Sequence, residues 1–315
     1  MKKNSFLLIG YSNLARKRII KTFIENKITF SVASKSFNKK IKGAKEQFSD
    51  YEVALSNSSA NIVYISLPNS LHFNWAKKAL LAGYHVIIDK PLTYKLSETR
   101  KLIKLAKKNN KLLSEAIFFN FHDQFKKIIN LLKNKKIISS IDVNFTIPLP
   151  SNKSILMSKK LLGGVIMDMG PYAATIHRIF FDKNITYSKI NIKKNKQKLP
   201  ISLELTIKYK DNECHCLFKF GGKYTNYINI FTDNKNFSID RAFSPPDDIK
   251  LHITTINKNK KKIILSKKDN CFKNYLFELI SKINNKKYSY YYEQIESDHF
   301  FRDKIEKKSL KNLIN

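Results

Sequence analysis

"NIVYISLPNSLHFNWAKKALLAGYHVIIDKPL", residues 61–92, decides the fold. It begins and ends on short apolar runs, 61–68 and 85–89, in which hydrophobic residues follow one another without alternation. Between them the apolar residues recur at helical spacing. Strand, helix, strand is the crossover unit of a parallel sheet, and strands apolar on both faces suit a sheet covered on both sides.

The same grammar extends upstream. "SFLLIG" (5–10) is an apolar run ending in glycine, and "NLARKRIIKTFIEN" (13–26) repeats Leu14, Ile19, Ile20, Phe23 and Ile24 as one helix face would. "ITFSVAS" (28–34) reads as a further strand. After "KLLSEAIFFN" (111–120) the texture changes to a helix over about 122–135 and then to strands in series: 139–148, 200–210, 213–220, 224–232 and 250–257. Serial strands imply an antiparallel sheet. From Phe272 to about Lys308 the spacing is helical again. The expectation is therefore an α/β protein with an N-terminal Rossmann dinucleotide-binding domain, residues 1–120. A C-terminal α+β domain for substrate binding and oligomerisation, residues 121–315, would be built on a mostly antiparallel open sheet.

The bulk properties narrow the classes. The 315 residues suit about two domains, and 43% hydrophobic residues supply ordinary cores. No apolar run reaches the ~18 residues of a membrane span, and Phe6 to Ile9 is too short for a signal peptide. The expected location is cytoplasmic. Cys214, Cys216 and Cys271 form no even disulfide framework. Cys214-His-Cys216 lacks a second ligand pair, so no metal is expected. The net charge of +34 points by itself to an anionic partner. Yet the lysines are spread over the whole chain without a helix-turn-helix, zinc-finger or RNP pattern. No specific nucleic-acid partner is expected.

Five short motifs could carry chemistry. In "IGYSNLARKR" only Gly10 of a glycine-rich pyrophosphate loop is present, with Ser12 and Ala15 where further glycines would stand. The turn is equally compatible with a strand-turn-helix of another α/β protein. Ala33 to Ser36 offers Ser34, Lys35 and Ser36 where an NAD-binding fold puts an acid for the ribose 2′-hydroxyl. That favours NADP(H), with NAD(H) possible. Pro68 to His72 and Asp89 to Leu92 each follow a strand at the carboxyl edge of the sheet, where open α/β folds bind ligands. Finally, "LLGGVIMDMGPYAATIHRIF" (161–180) sets Asp168 and Tyr172 four apart on one helical face in greasy surroundings, with Pro171 near a helix start.

In order and spacing these motifs resemble the Gfo/Idh/MocA oxidoreductase family, with its Pro-Asn-x-x-His turn, Glu-Lys-Pro signature and Gly-Gly-Gly-x-x-x-Asp-x-Gly-x-His/Tyr signature. "SEAIFFNFHDQF" (114–125) is similar to the family's junction into its second domain. The resemblance implies that Gly10, Ser12, Asn13 and Leu14 line the pyrophosphate loop and that Ser34, Lys35 and Ser36 meet the adenosine ribose or its phosphate. It further implies that Leu67, Pro68, Asn69, His72 and Asp89 border the cofactor, with Glu115 near the nicotinamide ribose. Lys90 matches the catalytic lysine, Asp168 the acid of the second signature, and Tyr172 the histidine-or-tyrosine position. His122 is a further substrate-contact candidate.

Three departures stand out: the missing glycines, Asp89 where the family has Glu, and Thr175 where inositol-dehydrogenase-like members carry an acid. The tyrosine, together with Gly221 to Asp248, is similar to a branch of nucleotide-sugar 3-ketoreductases. The implied activity is hydride transfer at a sugar or nucleotide-sugar carbonyl or hydroxyl. Tyr172 would be the general acid and Lys90 its electrostatic partner, since a phenol near pKa ~10 needs a neighbouring cation to give up its proton at neutral pH. The family also implies a homodimer or homotetramer through the C-terminal sheet. The alternative is a non-catalytic dinucleotide-binding sensor or scaffold on the same fold.

Overall fold

The computed structural model describes residues 4–35, 40–132, 137–181, 186–258 and 260–311. By internal contacts the chain divides into two units, Met1–Ala116 with Tyr275–Ser297 and Ile117–Asn274 with Asp298–Asn315.

The first unit is a six-stranded, all-parallel sheet made of β1 (Ser5–Ile9), β2 (Thr29–Ala33), β3 (Gln47–Phe48), β4 (Ile62–Ile65), β5 (His85–Asp89) and β6 (Leu113–Ala116). Their spatial order is β3-β2-β1-β4-β5-β6. The chain thus runs outward one way from β1 and the other way from β4, and the crevice at their carboxyl ends is the switch point where such sheets bind ligands. Phe6 to Ile9 and Ile62 to Ile65 have no exposed surface, as burial on both faces requires. Helices α1 (Ile20–Glu25), α2 (Tyr51–Asn57), α3 (His72–Leu81) and α4 (Leu96–Lys108) make the connections. Asp50 caps α2 by accepting the Glu52 and Val53 N–H groups.

The second unit carries an eight-stranded sheet of β7 (Ile138–Ile147), β8 (Thr186–Lys194), β9 (Pro200–Tyr209), β10 (Asn212–Phe220), β11 (Thr225–Thr232), β12 (Asn236–Asp240), β13 (His252–Asn257) and β14 (Lys260–Leu265). The order is β14-β13-β12-β11-β7-β10-β9-β8. Neighbours are antiparallel except β7 and β10, which pair in parallel. Alternate residues of the central strands, such as Leu203, Leu205, Cys214, Cys216, Phe218, Ile228 and Ile230, are buried in one core. The two edges, β8 and β14, carry Lys189, Lys193 and Lys194 and Lys260, Lys261 and Lys262. Lysines there discourage strand-to-strand association. Helices α5 (Asp123–Leu132) and α6 (Val165–Phe180) complete this unit with parts of α7 (Cys271–Asn284) and α8 (Ser289–Lys311).

The tail does not stay with the second unit, so a single break at 120/121 does not describe the contacts. The Tyr275 hydroxyl lies 2.8 Å from Ser114 Oγ and donates to the Glu115 carbonyl. Tyr288 and Tyr292 donate to the carbonyls of Asn110 and Lys111. Three phenols thereby tie residues 275–297 to β6 and the turn before it. No helix among the described residues is long and apolar enough to cross a membrane.

Candidate functional site

In the first unit the candidate residues gather at the carboxyl edge of the sheet. Gly10 follows β1 with φ of 100°. A Cβ at that position would stand 2.2 Å from the Ser66 carbonyl oxygen, so only glycine fits where β1 and β4 approach each other. A π-helical turn, Ala15–Ile19, then leads into α1. The Ala15 N–H donates to Ser12 Oγ, while Asn13 is exposed and Leu14 half-buried. A narrow, glycine-floored turn running into a helix amino terminus fits a pyrophosphate in shape and in polarity. Serine at position 12 contributes a hydroxyl that a glycine would lack.

That hydroxyl begins a relay. Ser66 Oγ donates to Asp89 Oδ2 at 2.6 Å, which commits its proton, so the Ser12 hydroxyl, 2.7 Å from Ser66 Oγ, is the donor of that pair. Tyr64 donates to the other carboxyl oxygen, Oδ1, at 2.8 Å. Burial pushes the Asp89 carboxyl up, and the Ser66 and Tyr64 hydroxyls with the charges of His72 and Lys90 act against it. Lys90 comes next, half-buried, with a cis peptide to Pro91.

The far side of Lys90 is fastened too. The Pro91 carbonyl lies 2.7 Å from His72 Nδ1, and the Leu92 N–H donates to Glu115 Oε1 at 2.8 Å. Every residue flanking Lys90 is therefore bonded to another element of this sheet edge. His72 is fully buried, and its Nε2 lies 2.8 Å from the Leu67 carbonyl. Leu67, Pro68 and Asn69 are half-buried beside it. At the end of β2, Ser34 is buried with its N–H donating to the Phe48 carbonyl. Lys35 is exposed, with its ammonium 5.7 Å from the Tyr51 ring centre. Positions 33–36 themselves include no acid, and the Lys35 charge acts on the Asp50 carboxyl at the start of α2. Ser36 lies outside the described residues.

In the second unit the candidates lie on α6. The helix starts at Val165, capped by Gly164 at φ 98°, so Pro171 sits in its interior and not near its first turn. The preceding Gly163 has no room for a side chain, because a Cβ would meet the Ile155 and Leu156 carbonyl oxygens at 2.5 Å. The two glycines thus have different reasons, close approach at 163 and backbone conformation at 164. Twelve of the sixteen residues of α6 are buried; Asp168 and Tyr172 are among the four that keep partial access. The Tyr172 ring is held by Phe119, Phe145 and Phe243, with centroids 5.7, 5.9 and 5.1 Å away. Three aromatic neighbours fix the phenol's direction through its ring.

Thr175 belongs to another side of the same helix. It is fully buried and donates to Asp298 Oδ2, whose other oxygen accepts from Arg178 Nε at 2.8 Å. Burial raises the Asp298 carboxyl, and the Arg178 guanidinium pulls it back. His122 is buried with Nδ1 accepting the Gln124 N–H, which puts the proton of the neutral ring on Nε2. Cys214 and Cys216 are buried neighbours, Sγ to Sγ 3.5 Å, and Cys271 is buried as well.

Sequence reasoning does not single out Tyr64, Ser66 or Asp298. The first two end a strand that reads as plain core, and the third acts from more than a hundred residues away.

Comparisons with known proteins agree with this architecture. Residues 5–117 match the oxidoreductase family, NAD-binding Rossmann fold, abbreviated GFO_IDH_MocA. A dTDP-3,4-didehydro-2,6-dideoxy-alpha-D-glucose 3-reductase of Streptomyces violaceoruber is 27% identical over 249 residues, 75% of this chain and 72% of that protein. A D-xylose 1-dehydrogenase (NADP(+)) of Haloferax volcanii is 33% identical over 140 residues, which span 44% of this chain and 43% of the relative. Among solved structures, KijD10, a 3-ketoreductase from Actinomadura kijaniata in complex with NADP and TDP-benzene, superposes with a TM-score of 0.88. It is 19% identical, and the match covers 94% of this chain and 95% of that one. At that identity the likeness speaks for the fold.

Proposed function

We propose, starting from the chain's membership of the Gfo/Idh/MocA oxidoreductase family, that it is an NADP(H)-dependent enzyme reducing or oxidising a sugar or nucleotide-sugar at a carbonyl or hydroxyl carbon. The observation that carries this reading is the fastening of Lys90 from both flanks at the carboxyl edge of a Rossmann-ordered sheet. A lysine needed only for solubility would gain nothing from such anchoring.

Gly10, Ser12, Asn13 and Leu14 would hold the cofactor's pyrophosphate against the amino terminus of the Ala15–Ile19 turn that leads into α1. Ser34 and Lys35, in a 33–36 stretch that itself includes no acid, favour a 2′-phosphate over a free 2′-hydroxyl, hence NADP(H), with NAD(H) a usable second. Leu67, Pro68 and Asn69 would border the nicotinamide half. His72, Asp89 and Glu115 would serve by holding the turns that do so. Bound NADPH supplies the hydride.

The chain supplies the proton and the charge. The Tyr172 hydroxyl is assigned to donate to the substrate oxygen as the carbonyl carbon is reduced, and the Lys90 ammonium to stabilise the negative charge that develops there. Asp168, one turn before Tyr172, is assigned to a sugar hydroxyl. His122 is assigned to substrate through its Nε2–H. The nucleotide-sugar preference is supported by the 3-reductase relatives. The three free, buried cysteines suit a reducing compartment, the cytoplasm. A homodimer or homotetramer through the half-exposed face of the eight-stranded sheet is the expected assembly, measurable by light scattering on a sizing column.

The test is direct. NADPH and NADH are titrated into the purified protein by fluorescence, and keto-sugars with and without a nucleoside diphosphate are then screened by loss of the reduced-nicotinamide absorbance. NADPH binding with turnover of a nucleotide-linked keto-sugar is expected. No binding of either cofactor sinks the reading, and binding without turnover of any keto-sugar leaves a sensor in its place.

A further inference from the structure

His72 makes a pair of contacts that a neutral imidazole cannot satisfy. Its Nδ1 is 2.7 Å from the Pro91 carbonyl oxygen and its Nε2 is 2.8 Å from the Leu67 carbonyl oxygen. A carbonyl only accepts, so each of these short contacts needs an N–H on the ring. The neutral ring has one. Its second nitrogen would then point a lone pair at an oxygen lone pair within hydrogen-bond distance, with no water to relieve it, since the side chain has no exposed surface.

Two other histidines of this chain provide the contrast. His85 Nδ1 accepts the Leu112 N–H at 2.9 Å, and His122 Nδ1 accepts the Gln124 N–H. Each of those rings has a donor aimed at a nitrogen, as a neutral imidazole requires. His72 has acceptors on both sides. Among the described residues, the charge acting on its ring is that of Asp89, at the end of the neighbouring strand, which is itself bonded by Tyr64 and Ser66 and influenced by Lys90. Burial pulls the His72 ring below the ordinary imidazole range, against the two carbonyls and the Asp89 carboxylate, which favour the cation; the geometry decides for the cation, because one ring proton cannot serve two acceptors.

We propose that His72 is a doubly protonated positioning residue, an imidazolium that clamps the Leu67–Asn69 turn to the Lys90–Pro91 turn and so sets one against the other. The reason for a cation follows from the bonds it replaces. A neutral side chain at this place would hold one turn and push the other away. With the Asp89 carboxylate the clamp forms a charge-balanced unit beneath Lys90. The geometry of Lys90 relative to the bound cofactor would then depend on a residue that touches neither substrate nor cofactor. The kinetic meaning of the clamp rests on the function proposed above; its charge state does not.

Both parts are testable on the full chain. Protein with 15N-labelled histidine gives long-range imidazole spectra at about pH 7.5, above the ordinary histidine range near 6.5, and the His72 signals are those lost in His72→Gln. If that variant does not fold, the assignment uses contacts to the Leu67 and Pro91 protons in the wild type. Both ring nitrogens in the protonated position are expected; the pattern of a single neutral tautomer overturns the proposal. In the second arm NADPH affinity is measured by fluorescence. His72→Phe is expected to weaken binding about tenfold, with His72→Gln in between, and an unchanged affinity in a folded His72→Phe overturns the clamp. Wild-type protein that binds no NADPH would refute the proposed function, while the spectra would still decide the charge on His72.

Discussion

The two units present their candidate chemistry in opposite ways. In the first, the candidates lie at or beside the carboxyl ends of strands, and their places are set by bonds between neighbouring segments: Ser12 to Ser66, Ser66 and Tyr64 to Asp89, His72 to Pro91, Glu115 to Leu92. In the second, Asp168 and Tyr172 lie within one continuous helix, and their places are set by helical spacing and by the aromatic rings around Tyr172. Turns held by polar bonds can place a charge accurately at a sheet edge, but each bond is a point of failure. A helix packed on a core fails through packing.

The largest expected effect tests that division at the level of chemistry. Lys90→Ala should lower kcat/KM by at least about 1,000-fold, since it would remove the charge proposed to stabilise the developing oxyanion. Tyr172→Phe should lower kcat about 100-fold, the low end for loss of a positioned acid. Steady-state kinetics on the nucleotide-sugar substrate give both numbers, and a Tyr172→Phe enzyme with full turnover would move the acid role elsewhere.

Two glycines sharpen the comparison next. Gly10→Ala and Gly163→Ala should each cost about 2–4 kcal/mol in denaturant melts, because a Cβ has no space at either position. They should separate on NADPH titration. Gly10→Ala is expected to abolish binding, and Gly163→Ala to leave it within about threefold; equal losses would show that the two units do not fail independently.

Acid and base supply a third contrast. Burial pulls the His85 ring down to about 4, so the folded first unit prefers it neutral. Its contribution is present above the usual pKa of 6.5 and is lost as pH falls through 6.5 towards 4, by about 2–3 kcal/mol at most. In the second unit burial pushes the Glu306 carboxyl, beside Arg302, up to about 7. There the folded state holds the proton, so stability falls as pH rises from about 4.5 to 7. Melting temperatures of wild type, His85→Gln and Glu306→Gln across this range should show opposite slopes removed by the two substitutions. Parallel slopes would contradict the assignment.

The smallest expected effect concerns the cofactor's 2′-phosphate. Lys35→Ala should reduce the preference for NADPH over NADH about tenfold, read as the ratio of two fluorescence titrations. An unchanged ratio would place phosphate recognition on other groups.

What could be read from the chain follows the same division. β1, β2, β4 and β5 are legible because a strand buried on both faces is an unbroken apolar run. β3 is two residues long and β6 is embedded in a longer apolar stretch, so neither announces itself. In the second sheet the central strands show alternation, whereas β8 and β14 read as lysine-rich loop, because an edge strand is written for solvent and against self-association. At the candidate site the order of motifs is legible, because each sits at a strand end or on a helix. The bonds that fasten them are not, because Ser12, Ser66 and Asp89 meet only through the register of three parallel strands. Thr175 shows the same limit: its partner Asp298 comes from another helix, and only the fold reveals that the hydroxyl turns inward.

The phenols of Tyr275, Tyr288 and Tyr292 have a consequence for how the protein is made. They complete the first unit from a stretch that follows the whole second unit in the sequence. During synthesis the six-stranded sheet emerges first, yet the hydroxyls that bond the loop before β6 and its carbonyls arrive only after some 150 further residues have been translated. The first unit therefore stays unfinished while the second folds, and a fragment ending near residue 120 would lack part of its own support.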